Sequence, residues 1–576
     1  MLPTGQRTRY AYDGAGRVTQ VQYGDGSQET YAYRPDGALM LASNDTIAVT
    51  FVRDKEGRTL QEQQGSHNVT STYDGHGRRV GLASCLGAAI RYTREAQGHV
   101  TQLQSGNWQA LFERDAQGLE IQRTLSGGVS TRSRRDPLGR LSEQLISVGL
   151  GGRQAARTRT YTWQSSGRLS QIQDTQFGLT HFEHDAVGNL AATTFDDGTR
   201  ELRLSDAVGN LFTTTEQRDR RYGSAGQLLE AQGTRFTYDM LGNLTSKTTA
   251  QGQQWNYAWD AAGYLAEVVC PDGEAVRFAY DALGRRVSKS YQGKVTRWVW
   301  DGDKFLHEWQ ESTTEAALGS VAEVVTWLFE DDSLAPLAKL TAQGSYSVVA
   351  DHLGTPLALY DAQGQQTWQV QLNSYGAVRI DTSQAPDCPF RYQGQYEDVE
   401  TGLYYNRFRY YDAETGQYIS QDPIRLEGGW KMYGYVHDTS TWIDVSGLNG
   451  VPGLEWVDPK TLNFSQGYVN SQVHEYEKLM RTGEWNWNRS PLQVAEVNGK
   501  LVSLDNRRLL AAQRAGVESV PMNKVNLSDP RPEGGTYGSN LNKKLNSRPK
   551  NRPDLPKVKL PAEGTPIQPT IVCPKT

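Results

Sequence analysis

The stretch Phe278-Ala279-Tyr280-Asp281-Ala282-Leu283-Gly284 decides the fold, because it is one copy of a pattern that returns along the first half of the chain. The segments Tyr10–Gly16, Phe236–Gly242 and Tyr257–Gly263 read the same way, and Phe112–Gly118 keeps the first aromatic, the Asp and the Gly. Aromatic-x-aromatic places two rings on one face of a strand, and Asp followed three residues later by Gly suits a type I turn. Fourteen glycines, from Gly16 to Gly284, hold the register at steps of mostly 20 or 21 residues; an insertion separates Gly139 from Gly167, and two short steps flank Gly226. A strand, a turn, a second strand and a second turn fill about 20 residues. Stacked in order, such hairpins exceed the roughly ten strands at which an open sheet curls or splits. The expected fold is therefore mainly β, a sheet rolled into a shell that buries its aromatic face and leaves few free edges. The period alone leaves an ordinary propeller or solenoid equally open.

Composition agrees with many short strands joined by tight turns. The 576 residues exceed one ordinary core, and 29 Tyr, 14 Trp and 58 Gly are a mixture that no globin-like or doubly wound protein shows. Cys85, Cys270, Cys388 and Cys573 lie too far apart in sequence for a zinc site or a disulfide framework and read as reduced thiols. No apolar run is long enough to span a bilayer, and the opening MLPTGQRTRY lacks the regions of a signal peptide. Export is expected to use a specialised machine. Residues 449–576 hold 18 Lys+Arg against 12 Asp+Glu, whereas the preceding body is acidic, so nucleic acid is the natural partner to test for the basic end.

From Ser345 the text changes. Asp351-His352-Leu353-Gly354-Thr355-Pro356, the run from Gly402 to Asp412 (GLYYNRFRYYD) and Ser420-Gln421-Asp422-Pro423 stand in it. With the repeats, these motifs resemble the core of the Rhs and YD-repeat family over essentially residues 1–448. The resemblance implies repeats over 1–330, a core over 331–448 and a hollow β cocoon around a variable C-terminal toxin. It also implies a missing N-terminal region that engages a secretion-machine spike or carrier, as in type VI secretion, and a cognate immunity protein. Synthesis in a bacterial cytoplasm and delivery into a competing cell follow from the same likeness.

Members of that family cut themselves after a motif of the form Asp-Pro-x-Gly-Leu. The matching text is Trp442-Ile443-Asp444-Val445-Ser446-Gly447-Leu448, which places the cut between Leu448 and Asn449. Val445 stands where proline is usual, and His437-Asp438-Thr439 replaces a proline-rich stretch, changes expected to loosen the presenting turn. The likeness points to Asp422 and Asp444 as the cleaving pair. Two carboxyl groups held close cannot both ionise cheaply, so one keeps a proton to polarise the carbonyl while the other activates water. Without the likeness, both aspartates read as turn openers.

Residues 449–529 read as a small α/β unit. Val473, Tyr476, Leu479 and Met480 have helical spacing ended by Gly483. LQVAEV and KLVSL flank the hairpin signal Asn498-Gly499. A helix follows, opened by Asp505 or Asn506 and closed by Gly516, and VESVPMNKVNL is a last strand. This order, with Asp505-Asn506-Arg507-Arg508 at a strand-to-helix junction, resembles the ParB and sulfiredoxin superfamily, in which a similar motif handles phosphate. A helix N-terminus gathers an anion, and Asn506, Arg507 or Arg508 would grip it. His474 and Glu475 on the first helix are candidates for a base or metal ligands, although exposed helix residues of these types are common without either role. Residues 530–576, with nine prolines and a run of lysines and arginines, read as a disordered basic tail.

The expected function is an encapsulated effector that frees a nuclease toxin by cutting itself. A nucleotide-dependent transferase or nucleotide hydrolase at the tip, or an inert shell protein, are the alternatives. The cofactor stays open between a divalent metal ion and a nucleotide.

Overall fold

The computed structural model describes residues 7–116, 118–149, 154–312, 323–331, 333–382, 388–425 and 431–448, followed by 451–452, 455–457, 459, 462–466, 468–470, 472–481, 492–497, 500–515, 517, 520–524, 537–545, 559–561, 565 and 568–572. The chain divides into two compact units, one built from most of Met1–Gly450 and the other around Val451–Thr576.

In the first unit, consecutive strands pair antiparallel into a 19-stranded sheet running from Arg9–Tyr12 to Arg200–Leu202 and a 16-stranded sheet running from Arg220–Tyr222 to Val378–Asp381. Strands such as Ala48–Arg53 alternate buried and exposed residues, so one face is turned inward. The repeat motif builds the turn as its chemistry requires. At Asp281 the Gly284 N–H reaches the Asp281 carbonyl at 2.9 Å, while the carboxylate takes the Arg285 N–H at 2.9 Å and the Arg285 side chain at 2.8 Å. Gly284 has φ +73°, as a type I turn closed by a bulge demands. The text change at Ser345 does not interrupt this architecture. Asp351 forms the same turn, with Thr355 N–H on its carboxylate at 2.9 Å, and the second sheet continues on both sides of it.

The second sheet follows the first in the same sense. Tyr31 donates to the Ala282 carbonyl (3.0 Å), Gln64 to that of Trp300 (2.7 Å), Gln144 to that of Ala350 (2.9 Å) and Arg203 to that of Ser374 (2.9 Å). The sequence separation of these partners falls from 251 through 236 and 206 to 171 residues. The wall is a coil in which the second pass lies against the first, which is how a sheet of this width avoids a long open edge. Val69, Leu82, Leu103 and Trp108 of the first pass share one buried cluster with Val299, Leu306, Leu328 and Tyr360 of the second, and burial of that size drives the closure.

Within the coil, the chain forms a four-stranded antiparallel meander of Tyr396–Asp398, Leu403–Asn406, Arg409–Asp412 and Gln417–Tyr418. Every residue of Leu403–Asn406 and Arg409–Asp412 is buried, as expected of a sheet covered on both faces. The Tyr410 and Tyr280 hydroxyls meet at 2.8 Å, and Leu244 N–H donates to the Ile419 carbonyl at 2.9 Å. Arg286, fully buried, pairs with Asp398 and lies 4.5 Å from both the Trp298 and Tyr405 ring centres. A charge can be held this deep because the carboxylate and the ring faces replace its water.

The second unit is a mixed five-stranded sheet in the order Glu455–Val457, Val520–Lys524, Leu492–Val497, Lys500–Ser503, Asn463–Phe464. Helices α1 (Gln472–Arg481) and α2 (Asn506–Ala515) contribute Val473, Met480, Leu509 and Leu510 to one core with Leu492 and Val494, so the helix, hairpin, helix, strand order stands as expected. The Asn498-Gly499 turn, Gly483, Gly516 and Cys573 lie outside the described residues. The expectation of a disordered tail over 530–576 is corrected at Tyr537–Leu545 and Thr570–Val572. Tyr537–Leu545 is a third helix, α3, and its Leu541 and Leu545, each 4% exposed, pack with Val502 and Leu504. Thr570–Val572 adds a parallel strand to Tyr468–Asn470. Proline-rich composition masked one amphipathic turn pair with leucines at i and i+4. Leu541→Ala should lower the stability of this unit by about 2–5 kcal/mol, read as a fall in the urea midpoint of residues 449–576.

Candidate functional site

Asp422 and Asp444 are brought together by a residue that the sequence reading did not single out. Arg409, on the third strand of the buried meander, points Nη2 at Asp422 Oδ2 (3.1 Å) and Asp444 Oδ2 (3.4 Å), and all three side chains are at most 4% exposed. Two buried carboxylates share one guanidinium, so full ionisation of the trio leaves an uncompensated negative charge. Burial pushes the Asp422 carboxyl up to about 6, against the pull of Arg409 and of the Ile424 N–H at 2.9 Å, with the Asp444 charge adding to the rise.

Asp444 is set differently. Its Oδ1 accepts the N–H groups of Gly447 (2.9 Å) and Leu448 (3.0 Å), and its Oδ2 accepts the Tyr418 hydroxyl at 2.9 Å. Asn406 Nδ2 donates both to that hydroxyl (2.7 Å) and to the Asp444 carbonyl (2.8 Å). Gly447 has φ +73°, and a Cβ there would lie 2.6 Å from the Asn406 carbonyl oxygen, so no other residue fits the bend. Arg409 Nε also donates to the Gly447 carbonyl. The segment that ends at Leu448 is thus clasped by Asp444 and Arg409. Asn449 lies outside the described residues.

The stretch His437-Asp438-Thr439 is anchored in a comparable way. Asp438 pairs with His184 at 3.1 Å and accepts Ser440 N–H at 2.9 Å, while Thr439 donates to the Ser374 carbonyl at 3.0 Å. Burial opposes the charge on Asp438, but these donors, His184 first, hold it down to about 2. Arg409 and Asn406 could have been suspected from the run GLYYNRFRYYD, because a strand that places Asn and Arg among tyrosines buries polar groups that need partners, whereas Tyr418 lies beyond that run.

In the second unit the junction forms as expected. Asp505 Oδ2 accepts the Gln493 N–H at 2.7 Å and pairs with Arg508 at 2.6 Å. Asn506 is 1% exposed and its carboxamide joins Ser465, accepting that residue's N–H at 2.7 Å and donating to its hydroxyl at 2.8 Å. It holds the sheet to the helix start, while Arg507 is exposed and Arg508 is the residue paired with Asp505. His474 is exposed on α1. Glu475 lies on the same helix, and its side chain is outside the described residues. Among the described residues no group of three or more His, Cys, Asp and Glu side chains is clustered to hold a metal ion, and no helix is long and apolar enough to cross a membrane. Cys85, Cys270 and Cys388 are free thiols.

Residues 129–430 match the family model described as Teneurin YD-shell, and residues 1–28 match that of the RHS repeat. Double-stranded DNA deaminase toxin A of Burkholderia cenocepacia (strain H111) is 32% identical over 475 residues, which cover 77% of this chain and 32% of that protein. The probable deoxyribonuclease RhsB of Dickeya dadantii (strain 3937) is 30% identical over 341 residues, or 57% of this chain and 23% of that protein. The chain therefore spans about a third or less of the length of these curated relatives. Among solved structures, the Photorhabdus luminescens Tc holotoxin pore aligns with a TM-score of 0.56 at 15% identity, covering 77% of this chain and 27% of that one. That likeness concerns the fold.

Proposed function

The chain belongs to the Teneurin YD-shell family, and from that premise we propose that its coiled wall is a container, that the buried segment around Asp422 and Asp444 cuts the chain after Leu448, and that residues 449–576 are a toxin acting on nucleic acid. The observation that carries the cleavage reading is the clasp of the Gly447 and Leu448 N–H groups by a carboxylate that shares Arg409 with a second buried carboxyl. Asp444 takes a proton from water as the water oxygen adds to the Leu448 carbonyl carbon. Asp422 supplies its proton toward the carbonyl oxygen. Collapse of the adduct returns a hydroxyl proton to Asp422 and breaks the bond to the Asn449 nitrogen, which takes the proton held by Asp444, so one water is consumed, a carboxyl and an amine are formed, and both aspartates are restored.

Intact mass of the purified chain tests this, with two associated pieces whose junction is Leu448–Asn449 as the expected result. Cleavage should slow as pH rises through about 6, because Asp422 must hold its proton to act and loses it in that range. A rate that instead climbs steadily from pH 5 to pH 8 would exclude Asp422 as the acid.

The toxin reading rests on the ParB-like order of elements, on the Asp505–Arg508 junction and on the basic composition of the segment. The relatives' names differ in chemistry, a deaminase and a deoxyribonuclease, so likeness over the wall does not fix the reaction at the tip. Induction of residues 449–576 in bacteria, followed by inspection of DNA, RNA and nucleotide pools, separates a nuclease from a nucleotide-consuming enzyme. A divalent metal or a nucleotide would be identified by the same extract assay with and without chelator. Production in a bacterial cytoplasm, delivery by a spike or carrier and capture by an immunity protein complete the proposal.

A further inference from the structure

We propose that Asn406 and Tyr418 are positioning residues that keep Asp444 the ionised member and Asp422 the proton-carrying member of the pair, an inference that rests on the self-cleavage reading above. Asn406 Nδ2 donates to the Tyr418 oxygen at 2.7 Å, which occupies a lone pair of the phenol and aims its O–H at Asp444 Oδ2, 2.9 Å away. The chain of donors runs one way, and each link strengthens the next. Asp444 then receives the phenol and the Arg409 guanidinium on Oδ2 and the Gly447 and Leu448 N–H groups on Oδ1. Four donors on one carboxylate favour its charged form, so before water is activated the shared proton is carried by the carboxyl with fewer donors.

Among the described residues, Arg409, Tyr418, Tyr435 and, through Arg409, Asp422 face Asp444. The Tyr435 hydroxyl accepts the Asp444 N–H at 3.2 Å and so fixes the backbone and leaves the carboxylate to the others. Among the described residues Asp422 has a smaller set: its Oδ1 takes one N–H, from Ile424, and its Oδ2 faces Arg409. Burial drives the Tyr418 phenol well above its ordinary range, so it remains a donor throughout the working pH. Two chemically equal side chains are thereby given unequal tasks by two neighbours that need not touch the scissile bond.

The test is the pH profile of cleavage after Leu448, measured by intact mass on full-length chain pulse-labelled in cell-free translation and diluted into buffers from pH 4.5 to 8.5. Tyr418→Phe removes a donor from Asp444 alone, so the rate should begin to fall at a higher pH on the acid side, by about one unit, a tenfold loss at pH 5. Asn406→Asp, of equal size, should turn the phenol proton toward itself and shift the same limb in the same direction. Tyr404→Phe, a buried tyrosine of the same meander whose hydroxyl donates to the Gly376 carbonyl, controls for loss of packing and should leave the limb in place. If the unmodified chain is never cut after Leu448, the parent reading fails and this inference with it. If it is cut, and both variants that fold keep its acid limb, the inference alone is overturned, even when their rates are lower.

Discussion

Asp444→Asn should leave the purified chain uncut after Leu448, with cleavage reduced by on the order of a hundredfold to ten-thousandfold and a single species by intact mass. The substitution is close to isosteric, and an amide oxygen can still accept the Gly447 and Leu448 N–H groups, so the bend that ends at Leu448 should survive. What is lost is the charge that pulls a proton from water. Asp422→Asn should fail for the complementary reason, because an amide has no proton of useful acidity to give to the carbonyl oxygen. The two variants are distinguished by the untouched partner: with Asp444 neutral, Arg409 has one carboxylate left, and Asp422 should ionise more readily than its present value of about 6. Carbon-13 titration of the labelled Asp422 carboxyl in the Asp444→Asn chain would show that fall. Continued cutting after Leu448 by the Asp444→Asn chain would remove the carboxylate pair from the mechanism.

The wall was legible in the sequence because its signal is local and repeated. Asp13, Asp54, Asp74, Asp136 and Asp281 each build the same five-residue turn with an arginine four residues on, so the text repeats what the backbone does. The way the two passes meet was not legible, since it depends on distant strands, such as those of Gln64 and Trp300, and no local pattern encodes a separation of 236 residues. The same distinction explains the site. Asp422 and Asp444 could be picked out by motif, but Arg409 and Tyr418 become partners of Asp444 only once the meander is folded, 35 and 26 residues away. In the C-terminal unit the helices and hairpin were readable from periodicity. Helix α3 was not, because the prolines on either side of it dominate the composition while Leu541 and Leu545 need Val502 and Leu504 to be buried.

Growth arrest by residues 449–576 should depend on the strand-to-helix junction and on the folded tail for separate reasons. Arg507→Ala should abolish arrest while leaving the fragment folded, because Arg507 is exposed at the start of α2 and adds a cationic fork to the positive end of that helix, where an anionic phosphate is favoured. Arg508→Ala should also abolish it, and Asp505→Ala should do so by releasing Arg508 from the 2.6 Å pair that orients it and by leaving the Gln493 N–H without its acceptor. Circular dichroism should be unchanged in the two arginine variants. Truncation after Asp529 should instead unfold the unit, since it removes α3, the Lys544 contact to the Leu504 carbonyl and the strand paired with Tyr468–Asn470. A truncated fragment that keeps both its fold and its toxicity would show the tail to be dispensable, and full toxicity of all three junction variants would end the phosphate-site reading. If the junction variants are inactive, the fate of DNA decides the reaction: chromosomal loss before lysis marks a nuclease, whereas intact DNA with depleted nucleotides marks an enzyme that consumes them at the same site.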